Sequence, residues 1–104
     1  MVVHIVMWRL QESALGHDKA ANARLIKEKL EALRGRIPGL RHLEVGIDFS
    51  AGPASADVVL VTALDSREAL AAYQVHPEHK AVVDFVTRVV SERRVVDYET
   101  GRKR

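Results

Sequence analysis

Ala72-Tyr73-Gln74-Val75-His76-Pro77-Glu78-His79 is the stretch from which the fold can be worked out. A proline disfavours helical backbone at the residue before it, yet it suits the first turn of a new helix. His76-Pro77 therefore divides one helix from the next, with Tyr73 near the end of the first and His79 in the first turn of the second. Upstream, Asp65 and Ser66 are candidate caps, with Glu68 placed to complete a capping arrangement, so the first helix runs to about Gln74. Downstream, Val82, Phe85, Val86 and Val89 recur at the spacing of one helical face.

Working outward, the remaining segments are strands and one further helix. Val2 to Leu10 is apolar and rich in β-branched residues, which marks a strand. From His17 to Gly35 the period changes: Leu25, Ile26, Leu30 and Leu33 share a helical face, and Gly35 is a plausible stop. Pro38-Gly39 fits the centre of a type II turn. Leu40 to Phe49 alternates, with Leu43, Val45, Ile47 and Phe49 opposite His42, Glu44 and Asp48. Ser50 to Ala56 is a loop by composition, Asp57 to Leu64 a strand apolar on both faces, and Arg94 to Tyr98 the last strand. The order is β-α-β-β-α-β.

A chain of 104 residues makes one domain, here residues 1–99, followed by a basic tail at 100–104. The formal charge of +2 is outweighed by Arg102, Lys103 and Arg104 alone, so the domain itself has no basic excess that would argue for nucleic acid. The apolar runs are too short to span a membrane, and Met1-Val2-Val3-His4 does not open like a secretory signal. A cytoplasmic protein is the default expectation. No cysteine is present for thiolate chemistry.

The pattern also argues for a partner. Right-handed crossovers place both helical connections on one face of the sheet, leaving the other uncovered. Yet Val3, Ile5 and Met7 oppose Val6 and Trp8, Val59 and Val61 oppose Val58 and Leu60, and Val96 opposes Val95. An uncovered apolar sheet face exceeds what a soluble monomer usually exposes, and a second copy packed sheet to sheet would cover it. If Val3, Ile5 and Met7 pack on the helices, then His4, Val6 and Trp8 look into the space on the far side. Val58, Leu60 and Val95 would line that space, and Asp97 would share the face of Val95. A mostly apolar space with few polar groups suits a small molecule.

A His in strand one, the Pro38-Gly39 turn, the Tyr73-x-x-His76-Pro77-x-His79 element and the closing Val95-Val96-Asp97-Tyr98 together resemble the stress-responsive α/β-barrel (Dabb) family. The resemblance runs from Val3 to about Glu99. It implies an α+β, ferredoxin-like chain with a four-stranded antiparallel sheet, two copies of which form a homodimeric barrel. Some plant members are polyketide cyclases whose Tyr and His correspond to Tyr73 and His79, with a strand-one His at His4 and a late Asp at Asp97. The resemblance thus implies His79 as base, Tyr73 as donor to an oxyanion, and His4 with Asp97 as orienting groups. Trp8 departs from that pattern: its bulk is expected to shorten a tunnel and exclude long chains.

The residue types suit that chemistry on their own terms. An imidazole at a positive helix end tends to stay uncharged, and a phenol can donate to a developing enolate oxygen. These are parts for proton abstraction beside a carbonyl, of cyclase or lyase type, on a small aromatic or polyketide-like ligand. The contrasting expectation is a non-catalytic, stress-associated dimer in which His4 is a satisfied core histidine and His76 a helix cap. A third is a cofactor-free monooxygenase of the same superfamily. No cofactor is called for, and the spacing of His76 and His79, with Asp97 or His4 to complete a set, is too generic to specify a metal.

Overall fold

The alternation of the first strand becomes β1 (Val2–Leu10), at the heart of a sheet whose other long strands are β4 (Leu40–Ile47), β5 (Val58–Leu64) and β6 (Val90–Glu99). Between β1 and β4 lie a miniature hairpin, β2 (Ser13–Ala14) with β3 (His17–Asp18), and helix α1 (Lys19–Glu31). Helices α2 (Arg67–Val75) and α3 (Pro77–Val89) join β5 to β6. The sheet is antiparallel in the order β4-β5-β1-β6, so the chain is an α+β, ferredoxin-like fold in which β6 is an edge strand paired with β1 alone. This computed structural model describes residues 1–101; the basic end expected at Arg102, Lys103 and Arg104 lies outside the described residues.

Local chemistry sets the element ends. Leu15 and Gly16 turn the small hairpin with φ of 54° and 80°, and Asp18 then caps α1 by accepting from the Ala21 amide at 2.8 Å. The helix therefore starts two residues later than expected at His17. At the other end the Leu40 amide donates to the Ile37 carbonyl at 3.2 Å, and Gly39 has φ +81°, closing the expected type II turn. Ser66 caps α2 by accepting from the Ala69 amide at 3.1 Å, while Asp65 instead pairs with Arg41 at 2.7 and 2.9 Å. His76 ends α2 in extended backbone and caps α3, its Nδ1 accepting from the Glu78 amide at 3.2 Å. The strand β6 follows α3 directly from Val90, four residues before the expected Arg94. Phe49 lies beyond β4, 98% exposed.

The register sorts the sheet into two sets of rows. On the helix side run Leu40–Leu64–Val2–Glu99, Leu43–Thr62–His4–Asp97, Val45–Leu60–Val6–Val95 and Ile47–Val58–Trp8–Arg93. On the open side run His42–Ala63–Val3–Tyr98, Glu44–Val61–Ile5–Val96 and Gly46–Val59–Met7–Arg94. The core lies between the first set and the helices, where Ile26, Leu30, Tyr73, Val86 and Val89 meet Val6, Leu43, Val45, Leu60 and Leu64.

This reverses the expected assignment of faces. His4, Val6, Trp8 and Leu10 are buried under the helices, whereas Val3, Ile5 and Met7 face the open side. The physical reason is the composition of whole rows. The helix-side rows carry four leucines and Trp8 within β4, β5 and β1, while the open rows include His42, Glu44, Gly46 and Ala63. The helices cover the more apolar face.

Candidate functional site

Cross-strand pairing and one helix junction bring His4, Asp97, Tyr73 and His79 together. His4 and Asp97 are direct partners in the β1–β6 register, and the His4 Nδ1–H donates to the Asp97 carboxylate. His4 is 3% exposed, and the Asp97 side chain is 41% exposed on the uncovered strand. A carboxylate can only accept, so this bond places the lone pair of a neutral His4 ring on Nε2. The backbone of His4 is held as well, since the buried Thr62 hydroxyl donates to its carbonyl at 3.0 Å.

Tyr73 comes from the last turn of α2. Its ring is fully buried, edge-on to His4 with centroids 6.1 Å apart, and its centroid is 4.2 Å from that of His79. Among the described residues its hydroxyl has no hydrogen-bond partner. Burial pushes the phenol well above its usual value of 10.0, so it remains a protonated donor.

His79 stands in the first turn of α3, half-buried, because the Pro77 break turns the chain back over Tyr73. Its Nδ1–H donates to the Gln74 carbonyl at 3.4 Å, leaving Nε2 as the free basic nitrogen. Burial holds the imidazole below its usual 6.5. The Gln74 carbonyl opposes that shift, and the nearby His4, His76 and Arg93 add to it. The result is a neutral base beside a protonated donor.

The lining residues named from the sequence divide differently. Val6, Val58 and Leu60 are at most 2% exposed and Trp8 is 6% exposed, so these four belong to the packed core under the helices rather than to a space between two sheets. Val95, at 47% exposed, is the one presented to open space. Residues 91–99 of β6 are all exposed. Between α2 and β6 lies a cleft of about 400 Å³ lined by Val2, Arg67, Leu70, Asp97, Tyr98 and Glu99. Arg67 Nε donates to Glu99 across its end at 2.7 Å.

Thr62, Gln74, Arg67 and Arg93 were missed by the sequence reading. Arg93 had a signal: it stands two and four residues before Val95 and Asp97, hence on the same strand face. The other three act through a hydroxyl, a backbone carbonyl and an ion pair that only the tertiary structure creates. Of the histidines considered as metal ligands, His76 uses Nδ1 as a cap and His4 is engaged by Asp97. No group of three or more metal-ligating side chains converges among the described residues. Among the described residues no helix is long and apolar enough to cross a membrane.

Residues 2–100 match the family described as Stress responsive A/B Barrel Domain, Dabb. An uncharacterised protein of Streptomyces coelicolor is 31% identical over 96 residues, covering 88% of this chain and 97% of that relative. A dimeric protein of unknown function and ferredoxin-like fold from Bacteroides fragilis is 30% identical. It covers 95% of both chains, with a TM-score of 0.82. A dimeric ferredoxin-like protein of unknown function from Thermobifida fusca is 23% identical, covering 95% of this chain and 90% of its own, with a TM-score of 0.83.

Proposed function

Because this chain belongs to the stress-responsive A/B barrel (Dabb) family, we propose that it works as a homodimer in which each protomer binds a small carbonyl compound between α2, α3 and β6. There it catalyses proton transfer beside the carbonyl. His79 Nε2 removes the proton, Tyr73 donates to the oxygen that gains charge, and His4, oriented by Asp97, supports Tyr73. The observation that carries this reading is the Tyr73 hydroxyl, fully buried and unpartnered beside the free nitrogen of a half-buried histidine. A buried donor with no acceptor is rare, because it forgoes a hydrogen bond, and a ligand oxygen supplies the missing partner.

The dimer is supported by the open sheet face. Ile5, Val61, Val96, Met7 and Val59 make an apolar patch there, with Met7 42% and Val96 50% exposed. A second protomer laid on that face removes the patch from water, and the site, on the opposite face, stays open.

The burial of Val6, Trp8, Val58 and Leu60 favours the second reading, a packed dimer without catalysis. Thermal shift with small aromatic and polyketide-like carbonyl compounds separates the two. A ligand of the native state raises the melting temperature by mass action. The proposal expects a shift in wild type that disappears in folded His79→Ala. Wild type shifted by none of the compounds, with His79→Ala equally stable and equally dimeric, would transfer the weight to the structural reading.

A further inference from the structure

One side of α2 leads from the surface to the buried tyrosine. Arg67, Leu70 and Tyr73 stand three residues apart, so each follows the last along the helix surface. All three meet β1 or β6. Arg67 Nε donates to Glu99 at 2.7 Å, Leu70 lines one cleft with Val2, and Tyr73 stands edge-on to His4 with centroids 6.1 Å apart. Val2 and Glu99 are partners in one cross-strand row, and His4 and Asp97 are partners in the next row on the same face. The helix thus runs along the sheet from the first row to the second, and the cleft of about 400 Å³ lies over the first. Asp97 belongs to both: it lines the cleft, and its carboxylate accepts from the ring that packs on Tyr73. Inward the cleft reaches the site; outward it ends at the Arg67–Glu99 pair. Its two carboxylates are engaged by His4 and Arg67, and its floor, Val2 and Leu70, is apolar.

We propose that this cleft holds an apolar arm of the carbonyl compound, and that Arg67 and Glu99 are the specificity-determining residues that set how long the arm can be. This inference rests on the reading of His79 and Tyr73 given above and names the substrate class, a neutral ketone with a short apolar arm. With the ketone oxygen at the Tyr73 hydroxyl, the arm passes Asp97, lies over Val2 and Leu70, and stops at the ion pair. Each methylene laid on that floor leaves water and adds to affinity. Beyond the floor the arm must part a guanidinium from its carboxylate or turn out into solvent, and neither adds apolar contact. An arm that ends in a carboxylate is disfavoured, because Asp97 and Glu99 line the same cleft. Both members of the pair are exposed, so it contributes little to stability and its removal leaves the fold intact.

The test uses the 2-alkanones from 2-butanone to 2-decanone, which differ only in the arm. Dissociation constants are measured by NMR titration on wild type, Arg67→Ala, Glu99→Ala and His79→Ala, and deuterium uptake beside the carbonyl is followed in D2O. Wild type is expected to gain about threefold to fourfold in affinity per methylene up to a break, after which longer arms add nothing. At the break, nuclear Overhauser contacts from the last methyl of the arm should reach Val2 and Leu70. In Arg67→Ala and Glu99→Ala the gain is expected to continue past the wild-type break. A wild-type series with no gain per methylene, a gain with no break, or a break unmoved in both variants overturns the role of the pair. The site itself still stands in those cases if His79→Ala abolishes the deuterium uptake seen in wild type. If no alkanone binds wild type, or His79→Ala takes up deuterium at the wild-type rate, both proposals fall together.

Discussion

Burying the Tyr73 hydroxyl with no protein partner costs about 1–3 kcal/mol, since the group gives up water without a protein acceptor in exchange. Tyr73→Phe keeps the ring and its contact with His79 and removes only that group. It should therefore raise the melting temperature by a few degrees, on the order of 1 kcal/mol, while reducing proton transfer by a hundredfold or more. Calorimetry beside a kinetic assay checks both signs, and a variant that loses stability would show that the hydroxyl has a partner after all. His79 gives a pH signature of its own. Its folded pKa lies below the usual 6.5, so the unfolded chain binds more protons between those two values. The neutral imidazole thus contributes stability that is present above about pH 6.5 and lost as the pH falls through the folded pKa. Urea titrations at a series of pH values should show wild type losing more stability on acidification than His79→Gln. At this scale the sequence named, through the family resemblance, four residues that the fold brings together: His4, Tyr73, His79 and Asp97. The lone pair on His79 Nε2 could not be named, because it depends on which atom meets the Gln74 carbonyl.

At the scale of the element, the turn into β4 is the most constrained feature. Gly39 has φ +81°, and a Cβ there would sit 2.8 Å from the Cβ of Ala69 on α2. Gly39→Ala therefore meets a backbone penalty of about 1–2 kcal/mol and a clash that pushes α2 away from the turn. A drop in denaturation midpoint of that size or more is expected, against about 1 kcal/mol for the lost cap in Ser66→Ala. Alternation and capping residues made most elements readable in advance. Two were not. The pairing of Ser13–Ala14 with His17–Asp18 is too short to leave a period, although Gly16 marks its turn. The start of β6 is hidden because Ser91, Glu92 and Arg93 are all exposed and carry no apolar pattern. The choice of sheet face failed for a different reason. A period of two tells which side chains travel together, but when Val3, Ile5 and Met7 compete with Val6 and Trp8 it does not say which group the helices cover.

At the scale of the whole molecule, the open face of the sheet predicts assembly. Ile5 lies at its centre, flanked by Val61 and Val96 in the same row. Ile5→Glu places a charge in that row, and a two-fold axis counts it twice, so light scattering should show the dimer giving way to a protomer of 11.6 kDa. A dimer that survives this change would mean that the copies meet elsewhere. The edge position of β6 has a consequence that follows from this. The strand is zipped to β1 along one side only, yet it carries the carboxylate that holds His4. A second copy laid on the open face would cover Val96 of this strand, and so would also govern how long the imidazole of His4 stays in place. Dilution should then act as a dial: as subunits part, amide exchange in residues 91–99 quickens first, and the chemistry fades before the fold does.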